Sequence, residues 1–310
     1  MRRNGFTLYS SPLTLDPSHS TMMNMHMVYL NGEFIPPDQA KVSVFDRGFI
    51  FGDGVYEVIP VFGGRLFRLP HHLARLDASL AAIRLRNPHT AEEWKTIFTR
   101  LMTEHGARDQ SIYLQITRGV APRDHAFPPN AVPTVFAYAQ PLKYPPAEQL
   151  TQGVTAVTTA DIRWQRCDIK AIALLANALL RQQAIEQGAA EAILVRDGVV
   201  TEGAASNIFV VSGDRLVTPP KGPYILPGIT RDLVVEIARA NKIACEEKPV
   251  GIEALRTADE VWLTSSTKEI LPITRIDGRP VGAGKPGPMH ARMFALYKEY
   301  KRAFIQGKVE

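Results

Sequence analysis

Strand patterns and helix patterns are interleaved along both halves of this chain, without the strict strand–helix alternation of a single parallel sheet. The first half opens with Val28-Tyr29-Leu30-Asn31-Gly32-Glu33-Phe34, a short hairpin turning at Asn-Gly. A second hairpin runs through Val55-Tyr56-Glu57-Val58-Ile59, turns at Gly63-Gly64 and returns as Arg65-Leu66-Phe67. The two-residue period of a strand puts Tyr56 and Val58 on one face. Leu73, Leu76, Leu80 and Ile83 form a helical stripe over 71–85, and Trp94, Ile97, Phe98, Leu101 and Met102 a second over 91–104. Ile112, Leu114 and Ile116 alternate inward along Ser111 to Thr117, and Val132 to Tyr138 is a further strand. The second half begins with a strand at Val154 to Thr158 and an apolar helix from Ile172 to Glu186. Hairpins turning at Asp197-Gly198 and Gly213-Asp214 follow. Gly228 then opens a helix through Ala240, Glu260 to Leu263 is a strand, and 289–305 is a terminal amphipathic helix. This mixture predicts an α+β fold in two mixed domains rather than one doubly wound sheet.

Pro141, Pro145 and Pro146 punctuate a polar stretch. A linker is therefore expected at 144–150, between a small N-terminal α+β domain (26–143) and a larger C-terminal domain (151–310). Residues 1–25 read as a disordered or upstream-started extension. They hold no apolar stretch of the about 7–15 residues that a signal peptide needs. No apolar run reaches the ~18 residues of a membrane helix, so no membrane partner is expected. The formal charge of +5 is spread along the chain and mixed with acids rather than gathered into a stripe, which argues against nucleic acid. A mild positive bias suits anionic substrates. Cys167 and Cys245 are far apart and in no metal-type spacing, as expected of free thiols in a reducing cytoplasm.

Several chemistries are excluded by pattern. The chain has no His-Glu-x-x-His and no Cys-x-x-Cys, and no Gly-x-Ser-x-Gly elbow. Gly284-Lys285 is followed by Pro286 and has Arg279 where a P-loop needs its first glycine. Gly52-Asp53-Gly54 precedes a strand rather than opening a helix, so it is a poor dinucleotide fingerprint.

Four segments stand in order: Asp46-Arg47-Gly48 through Gly52-Asp53-Gly54-Val55-Tyr56-Glu57; Asp161-Ile162-Arg163-Trp164 through Cys167-Asp168-Ile169-Lys170; Thr201-Glu202-Gly203 through Ser206-Asn207; and Leu226-Pro227-Gly228-Ile229-Thr230-Arg231. Together they resemble the class IV (fold type IV) pyridoxal-phosphate aminotransferases over nearly the whole chain after residue 26. A fifth, Thr117-Arg118-Gly119 with Pro122-Arg123-Asp124-His125, resembles the D-amino-acid branch of that family. The resemblance implies the branched-chain/D-amino-acid aminotransferase fold, pyridoxal 5'-phosphate as cofactor, and ping-pong transamination between D-amino acids and 2-oxo acids. It also implies a homodimer, because in D-amino-acid enzymes the loop bearing such an Arg and His is donated by the neighbouring subunit.

On composition alone Lys170, one of twelve lysines, reads as a surface lysine at a helix start. The resemblance makes it the catalytic amine that carries the cofactor as a Schiff base and moves the proton between substrate Cα and cofactor C4′. The apolar stretch Ala171 to Leu175 is suited to lowering its pKa. Glu202, otherwise a strand-end glutamate, is implied to hold the proton on the cofactor ring nitrogen, with Gly203 leaving room for close approach. The N–H groups of Ile229 and Thr230 can face a phosphate at a helix start. By resemblance Arg75 salt-bridges that phosphate, and Ser265 and Ser266 are further phosphate candidates. Arg123, His125 and the Tyr56 hydroxyl are the implied trap for the substrate carboxylate, with Val58 beside them. Ala204 and Ala205 stand where close relatives often carry serines, so a hydroxyl contact is missing. Within the family an L-branched-chain aminotransferase, an (R)-amine transaminase and an aminodeoxychorismate lyase remain alternatives. Outside it, the alternative is a cofactor-carrying protein without turnover.

Overall fold

The computed structural model describes residues 27–309, so the expected N-terminal extension lies outside the described residues. The first half forms β1 (Val28–Leu30), β2 (Glu33–Ile35), α1 (Arg47–Phe51), β3 (Gly54–Phe62), β4 (Arg65–Leu66), α2 (Leu69–Ala82), α3 (Ala91–His105), β5 (Gln110–Thr117) and β6 (Thr134–Pro141). Its six strands make one antiparallel sheet in the order β2-β1-β6-β5-β3-β4. The helical stripes pack on one face of it. Leu73, Leu76 and Leu80 of α2 and Trp94, Ile97, Phe98 and Leu101 of α3 share a core with Val55, Ile59, Ile112, Leu114, Ile116, Val135 and Ala137. Along β3 the two-residue period therefore puts Val55, Glu57 and Ile59 under the helices, and Tyr56 and Val58 on the opposite, half-buried face.

The second half forms α4 (Ala147–Gln152), β7 (Val154–Ala160), α5 (Leu175–Glu186), β8 (Glu191–Arg196), β9 (Val199–Gly203), β10 (Asn207–Ser212), β11 (Arg215–Thr218) and α6 (Ile229–Ala240). Then come β12 (Cys245–Glu247), β13 (Val250–Gly251), α7 (Ile252–Arg256), β14 (Glu260–Ser265), β15 (Glu269–Ile276), β16 (Arg279–Pro280) and α8 (Pro288–Ile305). Nine of these strands run in the order β12-β11-β10-β14-β15-β7-β8-β9-β13, with β16 paired to β15. The β15–β7, β7–β8 and β11–β12 pairs are parallel. Helices α6 and α8 cover one side through Leu233, Val234, Ile237, Met293, Tyr297 and Phe304.

Two elements differ from the sequence expectation. Residues 142–146 are irregular, but 147–150 of the expected linker are helical, in a helix that runs on to Gln152. Helix α5 starts at Leu175 instead of Ile172, because residues 170–173 lie along β3. The Tyr56 N–H donates to the Lys170 carbonyl (3.0 Å), the Ile172 N–H to the Gly54 carbonyl (3.1 Å), and Ala171 bridges Val55. The segment before α5 thus satisfies its backbone polar groups against the first sheet, and a helix cannot use the same groups.

The halves are joined again at α2 and α6. Buried Arg68 makes a two-pronged ion pair with Glu236, at 2.8 and 2.6 Å. Among the described residues, no helix is long and apolar enough to cross a membrane and no His/Cys/Asp/Glu group is arranged for a metal.

Candidate active site

A cavity of about 480 Å³ lies where β3, the 163–174 segment, α5, the β9–β10 turn, the start of α6 and the β14–β15 turn meet. That is within the range of small-molecule and cofactor pockets, roughly 300–1,000 Å³. Of the residues expected from sequence, it brings together Lys170, Glu202, Arg75, Ile229, Thr230, Ser265, Ser266, Tyr56 and Val58. Arg123 and His125 are not in it. They sit on an exposed loop, each beside the ring of Phe51, at 5.5 and 5.4 Å.

Lys170 is half-buried, with Nζ 4.1 Å from the centre of the Tyr56 ring. Its own N–H donates to the Ser79 hydroxyl of α2 (3.2 Å). The amine is therefore placed by backbone contacts to two elements of the first half.

Glu202 is buried at the end of β9. One carboxylate oxygen accepts from Arg163 Nη1, and the other from Asn207 Nδ2 and the Leu226 N–H, both at 3.0 Å. Burial pushes the carboxyl up to about 7, outweighing the lowering by Arg163, the Leu226 N–H and Lys170; the Arg163 guanidinium also bonds Asp161 at 2.9 Å. A buried carboxylate with its charge only partly compensated is suited to a cationic N–H partner within the cavity.

Gly203 lines the cavity and also has a reason of its own within the chain. A Cβ there would meet the Ser206 hydroxyl at 2.2 Å and the Glu191 carboxyl carbon at 3.2 Å, so the glycine admits the protein's own turn. Ser206, the remaining hydroxyl after Ala204 and Ala205, donates to buried Glu191 at 2.9 Å.

Arg75 is buried on α2 and chelated by Glu57. Its Nε and Nη2 donate to the two carboxylate oxygens at 2.8 Å each, and Nη1 to the Pro227 carbonyl at 3.0 Å. His72 Nδ1 lies 2.8 Å from Glu57 Oε2. Burial alone would raise the Glu57 carboxyl, but Arg75 and His72 hold it well below the usual carboxylate range. Arg75 lines the cavity together with the first turn of α6, whose N-cap, Gly228, makes no side-chain cap. Ser265, Ser266 and Thr267 add hydroxyls, and Thr264 Oγ1 is buried without a partner. Guanidinium, uncapped helix N–H groups and hydroxyls together make an anion site.

Sequence reasoning gave no role to Glu57, Asn207 or Arg163. The signal for Glu57 was present: the period of β3 puts it on the same face as Val55 and Ile59, where a lone carboxylate needs a partner. Arg163 and Asn207 lie inside quoted motifs, but nothing local to them points at Glu202.

A cavity combining an amine, an undercompensated carboxylate and an anion cradle fits a phosphorylated heteroaromatic cofactor. The chain matches the family model for amino-transferase class IV over residues 54–276, and it belongs to that family. Its cofactor is pyridoxal phosphate, and its fold is that of the fold type IV enzymes. The D-alanine aminotransferase of Bacillus licheniformis is 44% identical over 262 residues, covering 84% of this chain and 92% of that protein. The D-alanine aminotransferase of Staphylococcus epidermidis is 42% identical over 277 residues, covering 89% and 98%. Among solved structures, the branched-chain amino acid aminotransferase of Escherichia coli superposes with a TM-score of 0.86 at 27% identity, covering 92% of this chain and 96% of that one. The branched-chain aminotransferase of Thermoproteus uzoniensis with norvaline does so at 0.81 and 30%, again covering 92% and 96%.

Proposed function

We propose that this enzyme transfers the amino group of D-amino acids, D-alanine among them, to 2-oxo acids such as 2-oxoglutarate or pyruvate. The observation that carries this is its identity of 44% to a D-alanine aminotransferase, against 27% to a branched-chain amino acid aminotransferase with the same fold. The Arg123–His125 loop supports the same branch.

In this reading Arg75, the N–H groups of Ile229 and Thr230, and Ser265 and Ser266 hold the cofactor phosphate. Bound pyridoxal phosphate supplies an electron sink for the substrate Cα. Lys170 takes and returns the proton at Cα. Glu202 keeps a proton on the cofactor ring nitrogen, with Arg163 and Asn207 fixing its orientation. Tyr56 and Val58 line the substrate side, and the Tyr56 hydroxyl joins Arg123 and His125 of a second subunit in binding the α-carboxylate.

The working unit is a homodimer in the cytoplasm, each subunit built from domains 26–143 and 151–310. Two observations support the dimer. The trap residues lie outside their own subunit's cavity, and large apolar side chains are exposed near both: Phe45 (60%) and Phe49 (77%) beside the loop, Trp164 (52%) and Leu175 (75%) beside the cavity. The test is single turnover with D-alanine and with L-leucine, followed by cofactor absorbance. D-alanine reacts faster, and Arg123→Ala costs about 1.5–3 kcal/mol in kcat/KM for D-alanine but little for an (R)-amine lacking a carboxylate. Faster reaction of L-leucine would overturn the reading.

A further inference from the structure

The loop that carries Arg123 and His125 is exposed from Pro122 to Phe127 and has no apolar core of its own. Its placement comes from a buried charge cluster at its root. Asp53 Oδ2 accepts from Arg47 Nε and from Arg118 Nε, both at 2.8 Å, and Oδ1 from Arg118 Nη2 at 3.0 Å. Two buried guanidiniums on one carboxylate leave donors in need of further acceptors. Arg118 finds the Ile83 carbonyl at 2.7 Å, and its guanidinium lies over the Phe127 ring at 3.7 Å. Arg47 Nη1 donates to the carbonyls of Asp124 (2.5 Å) and Ala126 (3.3 Å), the residues on either side of His125. The Arg47 guanidinium also packs on Phe51 at 4.8 Å, the ring that Arg123 and His125 touch. The root itself is rigid: the Arg47 N–H donates to the Gly119 carbonyl (2.9 Å), and Gly119, at φ +88°, has the Val132 carbonyl 1.9 Å from where a Cβ would stand.

We infer that Arg47 is a positioning residue which, clamped by Asp53 with Arg118, sets where Arg123 and His125 stand and thereby the affinity of the neighbouring subunit's site for the substrate carboxylate. This rests on the reading of Arg123 and His125 as the carboxylate trap. A lysine at 47 keeps a positive charge beside Asp53 but lacks the planar fork that reaches carboxylate and carbonyls at once.

The experiment compares Arg47→Lys, Phe51→Leu and Arg123→Ala holoenzymes in single turnover with D-alanine and with (R)-1-phenylethylamine. Arg47→Lys raises the apparent Kd for D-alanine roughly tenfold, leaves the limiting rate nearly unchanged and does not alter the amine. Phe51→Leu shifts D-alanine binding in the same direction by less, and decides the matter if Arg47→Lys does not fold. Equal loss for both substrates, or D-alanine binding unaltered in both variants, overturns the clamp. If Arg123→Ala itself leaves D-alanine binding intact, the trap reading falls, and the clamp with it. If Arg123→Ala weakens binding while Arg47→Lys and Phe51→Leu do not, the clamp alone falls.

Discussion

Glu57→Gln removes the counter-charge of Arg75 while changing almost no volume. In the native site Glu57 Oε1 accepts from Arg75 Nε, and Oε2 from both Arg75 Nη2 and His72 Nδ1, all at 2.8 Å. An amide must turn its NH₂ toward one of these places. At the Oε1 position it would face the Arg75 Nε–H. At the Oε2 position it loses Nη2 but can donate to His72 if that ring changes tautomer, so the second arrangement wins. Either way a guanidinium only 7% exposed keeps one neutral acceptor from the amide and the Pro227 carbonyl. Breaking one side of a buried pair costs about 3–5 kcal/mol, and the surviving acceptors favour the lower end. The assay is urea unfolding of the cofactor-free protein by tryptophan fluorescence. Inorganic phosphate narrows the gap to wild type, because an anion at Arg75 supplies the missing charge. The pH dependence has a definite sign. The Glu57 carboxyl is held below its ordinary value of 4.5, so its contribution is complete above that value and drains away as pH falls below it. An unfolding free energy within about 1 kcal/mol of wild type at neutral pH would refute the claim that this pair anchors α2 to β3.

Lys170→Ala abolishes transamination while the far-ultraviolet circular dichroism and non-covalent cofactor binding persist; normal multiple turnover would remove Lys170 from the chemistry. Glu202→Gln slows the half-reaction much more than it weakens substrate binding, and an unchanged rate would dismiss Glu202. Because burial pushes Glu202 up to about 7, cofactor-free wild type loses stability relative to Glu202→Gln as pH rises from the ordinary carboxyl value of 4.5 to about 7, which denaturation across that window measures. Sedimentation at assay concentration gives a dimer, and a fully active monomer is the result that contradicts it.

Elements set by local patterning were legible in the chain. Helix α3 is one: Thr90 and Glu93 form a capping box, with the Thr90 N–H donating to Glu93 at 2.7 Å, ahead of a clean apolar stripe. The hairpin turns at Asn31-Gly32 and Asp197-Gly198 are others, since both positions adopt positive φ. Lys170 and Glu202 were legible only through their motifs. What periodicity could not reach was long-range. Ile172 to Leu174 are apolar and read as the first turn of the helix, yet the Ile172 N–H donates to a strand more than a hundred residues earlier. Arg163 stands 39 positions from Glu202, and Arg47 stands 77 from Asp124. Such pairings depend on topology, and no local pattern encodes them.

The stitching of the lysine segment to β3 also determines when the site comes into being. Tyr56, Ile172 and the Lys170 backbone are tied across the two halves by three amide hydrogen bonds: Tyr56 to the Lys170 carbonyl, Ile172 to Gly54 and Lys170 to Ser79. None can form until the first sheet with α2 and the segment leading into α5 are both present, so the reactive amine reaches its place only in a late, high-contact-order step of folding. The same amides report on the assembled site in hydrogen exchange, where their protection tracks separation of the halves instead of fraying of either sheet. Synthesis makes the last strand of the first sheet, ending at Pro141, 29 residues before Lys170. The Gly54–Tyr56 stretch of β3, paired with β5 on one side only, is then the docking line for the segment that brings the lysine.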